Sequence, residues 1–354
     1  MSHDQDSTTA SDLNTKEQIS IESVQLSEEA LDEHVEGLIN IRYEPTKDDI
    51  ELASRAREKP VKDTRVLVDD YMRILEERSQ GIMRHIPSGF ESLDDEPWLE
   101  NGTLVIIGGR PAMGKTAFGQ QIAENTCSED STTLFFSLEM NGVQVTERSV
   151  SRRSGVEIPK IKKWEVTEKD VDDLVAATVE FKQLNLLVDP VSMSIQELVA
   201  IAHKVKDGLE SRELPPLKCI VIDYLQNIEV LGRENAEEKT KVSYVSRQLK
   251  WLAKELDIPV VALCQLNRAV ESRQDKRPSL SDLKESGQIE QDAEIILFIY
   301  RDEYYNTDSD MQGVAEIIRA KSRNGSTGTT YLKFHGKTAT FSDMNKPESL
   351  KWAA

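Results

Sequence analysis

TLVIIGGRPAMGKTAFGQQIAENT, residues 103–126, joins a short apolar run to a helical pattern through a glycine-bounded turn. The run is β-branched and uninterrupted, as a strand buried on both faces should be. The turn from Gly109 to Thr116 matches G-x-x-x-x-G-K-[ST] and lies between a strand and a helix, the context that gives this pattern its meaning. Its glycines let backbone N–H groups turn inward around phosphates, and the helix N-terminus adds positive potential. The expected cradle comprises Gly109, Arg110, Pro111, Ala112, Met113, Gly114, Lys115, Thr116 and Ala117. Lys115 is expected to reach the β- and γ-phosphates of ATP, and Thr116 to hold Mg²⁺.

The same rhythm continues outward. TTLFFSL (132–138), LNLLVD (184–189), LKCIVID (217–223) and IPVVALC (258–264) are short apolar runs. Helical patterns separate them at roughly 114–126, 142–182, 194–210 and 237–256. Strands alternating with helices predict an α/β fold whose mainly parallel sheet is covered by helices. After residue 290 the pattern turns strand-rich, with AEIILFIY, VAEIIRAK and TTYLKFH. Three polar residues end apolar runs, where open sheets bind ligands. Asp223 is placed to bind Mg²⁺ through water, Glu139 to polarise an attacking water, and Gln265 to sense a γ-phosphate.

Composition sets the limits. The 354 residues suggest two domains, and 38% hydrophobic with 30% charged residues describe a charge-rich surface. No run approaches the roughly 20 apolar residues of a membrane span. The start, MSHDQDSTTASDLNT, is the opposite of a secretory signal. Cys127, Cys219 and Cys264 are too scattered for a disulfide framework, and the five histidines show no metal-ligand spacing. A cytoplasmic location is expected. The net charge of −19 argues against simple nucleic-acid binding, but RQDKR (273–277) and RAKSRNG (319–325) are locally basic.

Residues 1–25 read as a disordered acidic tail, and 26–60 as a short helical segment with Leu31, Val35 and Leu38 on one face. Residues 61–85 carry Leu67, Tyr71, Ile74 and Leu75 at helical spacing, a face that packs on its own domain or docks on a neighbouring subunit. Residues 86–345 form the catalytic domain, and 346–354 a C-terminal tail.

From about residue 61 to 342 the chain resembles the DnaB-type replicative DNA helicases of the RecA-like superfamily. The resemblance rests on IPSGFESLDD (86–95), GGRPAMGKT (108–116), FFSLEM (135–140), IVIDYLQ (220–226), LCQLNRAVESR (263–273), SLSDLKESGQIEQDAEIILFIYRDEYY (279–305) and IRAKSRNGSTGT (318–329), in order. It implies a RecA-like ATPase that works as a homo-hexamer, translocates on single-stranded DNA and unwinds duplex at a replication fork, with ATP and Mg²⁺ as cofactors. It implies that Glu139 activates water, that Asp223 binds magnesium, and that Gln265 couples γ-phosphate state to DNA contacts. Lys321 and Arg323 would reach a neighbour's γ-phosphate. Lys284, Glu285 and Gly287 would hold single-stranded DNA in a central channel, where Lys284 stands for the usual Arg and loses its bidentate fork. Residues 61–85 would be the linker helix that docks on the neighbouring subunit. Arg268 and Arg273 are DNA-binding candidates, although a flexible basic surface loop explains them equally well. The family's helical N-terminal domain is longer than the stretch before residue 61, which implies a shortened collar. Primase and a helicase loader are the implied partners. A RecA-like recombination ATPase, or an ATP-binding loading protein that does not unwind, are the alternatives.

Overall fold

The structure, a computed structural model, describes residues 63–344, apart from the side chains of residues 284–286. The expectations for residues 1–25, 26–60 and 346–354 lie outside the described residues.

Among the described residues, one nine-stranded sheet runs in the order β3-β2-β4-β5-β1-β6-β7-β8-β9. β1 (Leu104–Gly109), β2 (Thr132–Ser137), β3 (Leu186–Asp189), β4 (Leu217–Asp223), β5 (Val260–Gln265) and β6 (Ile295–Tyr300) are parallel. β7 (Val314–Ser322), β8 (Gly328–His335) and β9 (Thr340–Asp343) extend the sheet in antiparallel sense. Every residue of β1, β2 and β6 is buried, because helices cover both faces of this part of the sheet. In β8 the alternation returns: Leu332 and Phe334 are buried, whereas Lys333 and His335 are exposed.

The helices of the described residues are α1 (Thr64–Ser79), α2 (Glu91–Asp94), α3 (Lys115–Asn125), α4 (Gly142–Ser154), α5 (Ile158–Lys163), α6 (Glu168–Lys182), α7 (Ile195–Ser211), α8 (Glu238–Leu256) and α9 (Gly287–Asp292). The helical pattern at 142–182 is therefore three helices. Gly155 ends α4 in the left-handed conformation at φ 74°, and Trp164 ends α5 at φ 54°. Thr167 then starts α6 with a capping box closed by Asp170.

The core is built around α3, where Ala117 to Glu124 are buried. The Phe118 ring lies 5.2 Å from Phe90 and 5.1 Å from Phe341, and Phe341 lies 4.6 Å from Phe334. Gln121 on α3 pairs with both main-chain groups of Phe341, at 2.8 and 2.9 Å. β9 thus closes over the helix that follows the glycine turn. Its four residues are too short to show a period in the sequence.

α1 is different, since none of its residues is buried. Leu67 is 51%, Tyr71 55% and Leu75 38% exposed and Ile74 is partly buried, so most of this apolar face is left uncovered by its own domain. The described residues include no helix long and apolar enough to cross a membrane. Cys127, Cys219 and Cys264 are free thiols.

Candidate active site

The turn between β1 and α3 leaves little conformational freedom. Gly114 has φ 96°, and a Cβ there would sit 2.9 Å from Cζ of Phe341, so only glycine fits. Ala112 also takes a positive φ of 64°, which costs an L-residue about 1–2 kcal/mol. Arg301 steadies that crest by donating Nη1–H to the Ala112 carbonyl at 3.1 Å. Pro111 and Ala112 are exposed, whereas Met113 and Ala117 pack into the core. Arg110 is buried, donating to the Leu266 carbonyl at 2.7 Å and to Glu271 at 2.9 Å. Its side chain braces the turn. Lys115 folds back to the Arg110 carbonyl at 3.3 Å. Burial pushes its ammonium below the usual lysine range, while Asp223, Cys264 and Glu139 pull it back up.

Asp223 ends β4 and is 1% exposed, with neither carboxylate oxygen hydrogen-bonded. Burial pushes its carboxyl up to about 6, and Glu139 adds to this, while the nearby Thr116 hydroxyl, Lys115 and Arg148 hold it down. Buried carboxylate oxygens without a partner, beside a hydroxyl, suit a hard divalent cation. Glu139 is exposed and lies two residues beyond the end of β2, later than the strand end expected of it. The Leu138 N–H holds its segment to the Asp223 carbonyl at 2.8 Å. Gln265 is the exposed last residue of β5, in register with Gly109. Thus Lys115, Thr116, Glu139, Asp223 and Gln265 gather at the carboxyl edge of the parallel strands.

Sequence reasoning missed Arg148 on α4, whose guanidinium feels both Asp223 and Glu139 and is pushed below its usual range by burial. Glu124 on α3 ties α4 down, accepting from Ser149 at 2.8 Å and from Arg152 and Arg153. A signal did exist, because Arg148 stands three residues after buried Val145 and therefore shares its inward face.

Arg323 lies at the other edge of the sheet, and Lys321 partway toward it. Lys321 on β7 is in register with Ile296 of β6, which pairs with Ile106 of β1. The Arg323 N–H donates to the Glu294 carbonyl, and the Glu294 N–H to that of Leu104, at the start of β1. From Leu104 to Gly109 the strand covers about 16 Å at 3.3 Å per residue. Neither cation is placed to serve the glycine turn of its own chain.

The sequence profile of the DnaB-like helicase C-terminal domain matches residues 85–343. The chain belongs to that family. It is 40% identical over 279 residues to the replicative DNA helicase DnaB of Geobacillus stearothermophilus, covering 78% of this chain and 60% of that protein. It is 37% identical over 309 residues to the replicative DNA helicase DnaC of Bacillus subtilis (strain 168), covering 86% and 66%. The chain thus spans about three fifths to two thirds of these relatives. Among solved structures, a chain described as an ATPase domain matches with a TM-score of 0.71 at 35% identity, covering 78% of this chain and 99% of that one. A DnaB-like replicative helicase described with its primase interactions matches at 0.74 and 34%, covering 88% and 74%.

In this DnaB-like domain the candidate DNA loop is a 3-10 turn, Leu280–Ser286, that leads into α9. Lys284 and Glu285 lie in the turn, and their side chains are outside the described ones. Gly287 is exposed with φ −51°, so its backbone does not need glycine. Lys321 donates to the carbonyls of Glu290 and Ala293 at the far end of α9, the latter at 2.7 Å. Arg268 is exposed. Arg273 is engaged inside the protein, pairing with Asp282 at 2.7 Å and donating to the Arg277 carbonyl at 3.0 Å. Asp282 also accepts the Ser279 N–H at 2.7 Å, so Arg273 supports the base of the candidate loop. Arg277 makes a two-pronged pair with Glu316, at 2.7 and 2.6 Å, over the Tyr300 ring. Much of the basic stretch 273–277 is therefore internal clamp, a role that charge in sequence does not reveal.

Proposed function

We propose that this chain is an ATP-dependent replicative DNA helicase, a homo-hexameric motor that translocates on single-stranded DNA and unwinds duplex at a fork. One observation carries the reading. Lys115, Glu139 and Asp223 occupy one edge of the sheet and Arg323 the opposite edge, so a second copy of the chain is needed to complete a catalytic site. Lys115 and the backbone of Gly109–Ala117 bind the phosphates, Glu139 polarises the attacking water, and Gln265 reports the γ-phosphate. Thr116 and Asp223 would hold Mg²⁺, which when bound neutralises charge on the β- and γ-phosphates. Lys321 and Arg323 reach the neighbour's nucleotide. Lys284, Glu285, Gly287 and Arg268 face the DNA backbone without reading bases, with Arg273 beneath them. Primase and a loader are partners, and the cytoplasm is the site of action.

Fork unwinding together with DNA-stimulated ATPase tests the proposal. A recombination ATPase would hydrolyse ATP without unwinding, and a loading protein would do neither. Glu139→Gln is expected to bind ATP with near-normal affinity and to lose about 10²–10⁴ in turnover, because the amide keeps the shape and lacks the basicity. Wild-type turnover in that variant would move the water-activating role elsewhere.

The exposed face of α1 is assigned to the neighbouring subunit. Truncation ahead of Gly81 removes Leu67, Tyr71 and Met72, and sedimentation should then show rings that dissociate at higher protein concentration. Equally stable rings would refute that role.

A further inference from the structure

Beyond Ile222 and Ala262, the last residues at which they pair, β4 and β5 part. Gln226, in the 3-10 turn Leu225–Asn227 after β4, reaches across that gap. Its Nε2–H donates to the Gln265 carbonyl at 3.0 Å, and its Oε1 accepts the Gln265 N–H at 3.2 Å. A side-chain amide thus takes the place of the next rung of the ladder. On the opposite side, Gln265 is in register with Gly109.

The neighbouring bonds extend this contact in two directions. Asn227 donates to the Leu138 carbonyl at 3.4 Å, one residue before Glu139. Downstream of Gln265, the Asn267 N–H donates to the Asp282 carbonyl at 3.2 Å, at the base of the candidate DNA loop. A cavity of about 50 Å³ lies here, lined by Gln226, Gln265, Asn267, Asp282 and Leu283. A void of that size leaves the segment room to shift without compressing a filled core.

We propose that Gln226 is a positioning residue that holds the main chain of Gln265, so that the state of the γ-phosphate at the Gln265 side chain is passed to the Leu280–Ser286 turn. The proposal rests on the helicase reading above. Gln226 is only half-buried, so water can replace its bonds at little cost to the fold, and what those bonds determine is orientation.

Two variants and two readouts test this in the full chain. Gln226→Met removes both bonds to Gln265, together with the Nε2–H donation to Sγ of Cys264 at 3.2 Å. Gln226→Glu keeps an acceptor for the Gln265 N–H and sets an oxygen against its carbonyl. In the Met variant, hydrogen exchange at the Gln265 amide should speed up by about tenfold or more, and in the Glu variant by less. The ratio of affinities for single-stranded DNA with a non-hydrolysable ATP analogue and with ADP should collapse toward unity in both. DNA-saturated kcat should fall about tenfold, with KM for ATP changing much less. Should Gln226→Met lower the melting temperature, the near-isosteric Gln226→Glu carries the same comparison. Unchanged protection of the Gln265 amide in the Met variant, or a wild-type affinity ratio once protection is lost, would overturn the proposal. If the wild-type protein shows no nucleotide-dependent DNA affinity, the helicase reading fails, and amide exchange still decides the clamp.

Discussion

Arg323→Ala and Lys115→Ala subunits, each nearly inactive alone, are expected to recover part of their ATP turnover when mixed. Arg323 lies level with the start of β1, across the sheet from the glycine turn at the end of that strand. Its side chain is 52% exposed and contacts Glu294 only at 3.4 Å, so it is free to turn outward toward a neighbour. A positive charge delivered to the γ-phosphate at an interface contributes on the order of 10³–10⁵ in rate in characterised NTPases. On the proposed reading, Arg323→Ala removes the finger, and Lys115→Ala the phosphate contact. In a mixed ring some interfaces join an intact glycine turn from the first variant to an intact finger from the second. Those interfaces should turn over ATP. Recovery stays partial because sequential firing stalls at dead sites, so ATP hydrolysis is a better readout than unwinding. The subunits must be mixed before ATP and DNA close the ring. No activity above the average of the two variants, with exchange demonstrated, would refute action in trans.

Asp223→Asn should move stability and activity in opposite directions. Burial raises this carboxyl from 3.8 to about 6, so the folded chain binds more protons than the unfolded chain between those values. Stability due to this group accordingly falls as pH rises through that window, and the penalty is complete above about pH 6. Two units correspond to roughly 3 kcal/mol, and the buried amide's own desolvation offsets part of the gain. The Asn variant, free of nucleotide and metal, should be about 1–2 kcal/mol more stable than wild type at pH 8. Below about pH 4, where the neutral carboxyl carries no charge penalty, the difference should shrink by those roughly 3 kcal/mol, leaving the Asn variant the less stable of the two. Turnover should be lost, because the amide is a poor ligand for a hard cation. Thermal melts at the two pH values, with an ATPase assay, check this, and a variant less stable at pH 8 would contradict the unpartnered buried charge.

Much of the site was legible because its chemistry is local. The glycine turn is contiguous, and its neighbours announce a strand and a helix. Asp223 and Gln265 stand where apolar runs stop, and in a parallel sheet those ends share one edge. Glu139 was legible in kind and displaced in position, since β2 ends at Ser137 and a short turn carries it onward. The breaks at Gly155 and Trp164 were harder to read, because helical periodicity resumes after each of them.

What the sequence by itself determined was the fold class, the glycine turn between a strand and a helix, and the strand-end position of Asp223, all set by short-range pattern and by the burial that parallel strands require. Tertiary structure alone decided which cations are available. Arg273 and Arg277 look like surface charge in the sequence, yet they pair with Asp282 and Glu316, and Arg110 of the expected cradle turns its side chain to Glu271. It also brought Arg148 toward Asp223 and set Gln226 against the main chain of Gln265. The antiparallel register of β7 carried Arg323 to the edge away from its own glycine turn and left Lys321 partway toward that edge. Partners of this kind are far apart along the chain, and a charge or an amide has no periodicity, so only the folded register shows what each of them meets.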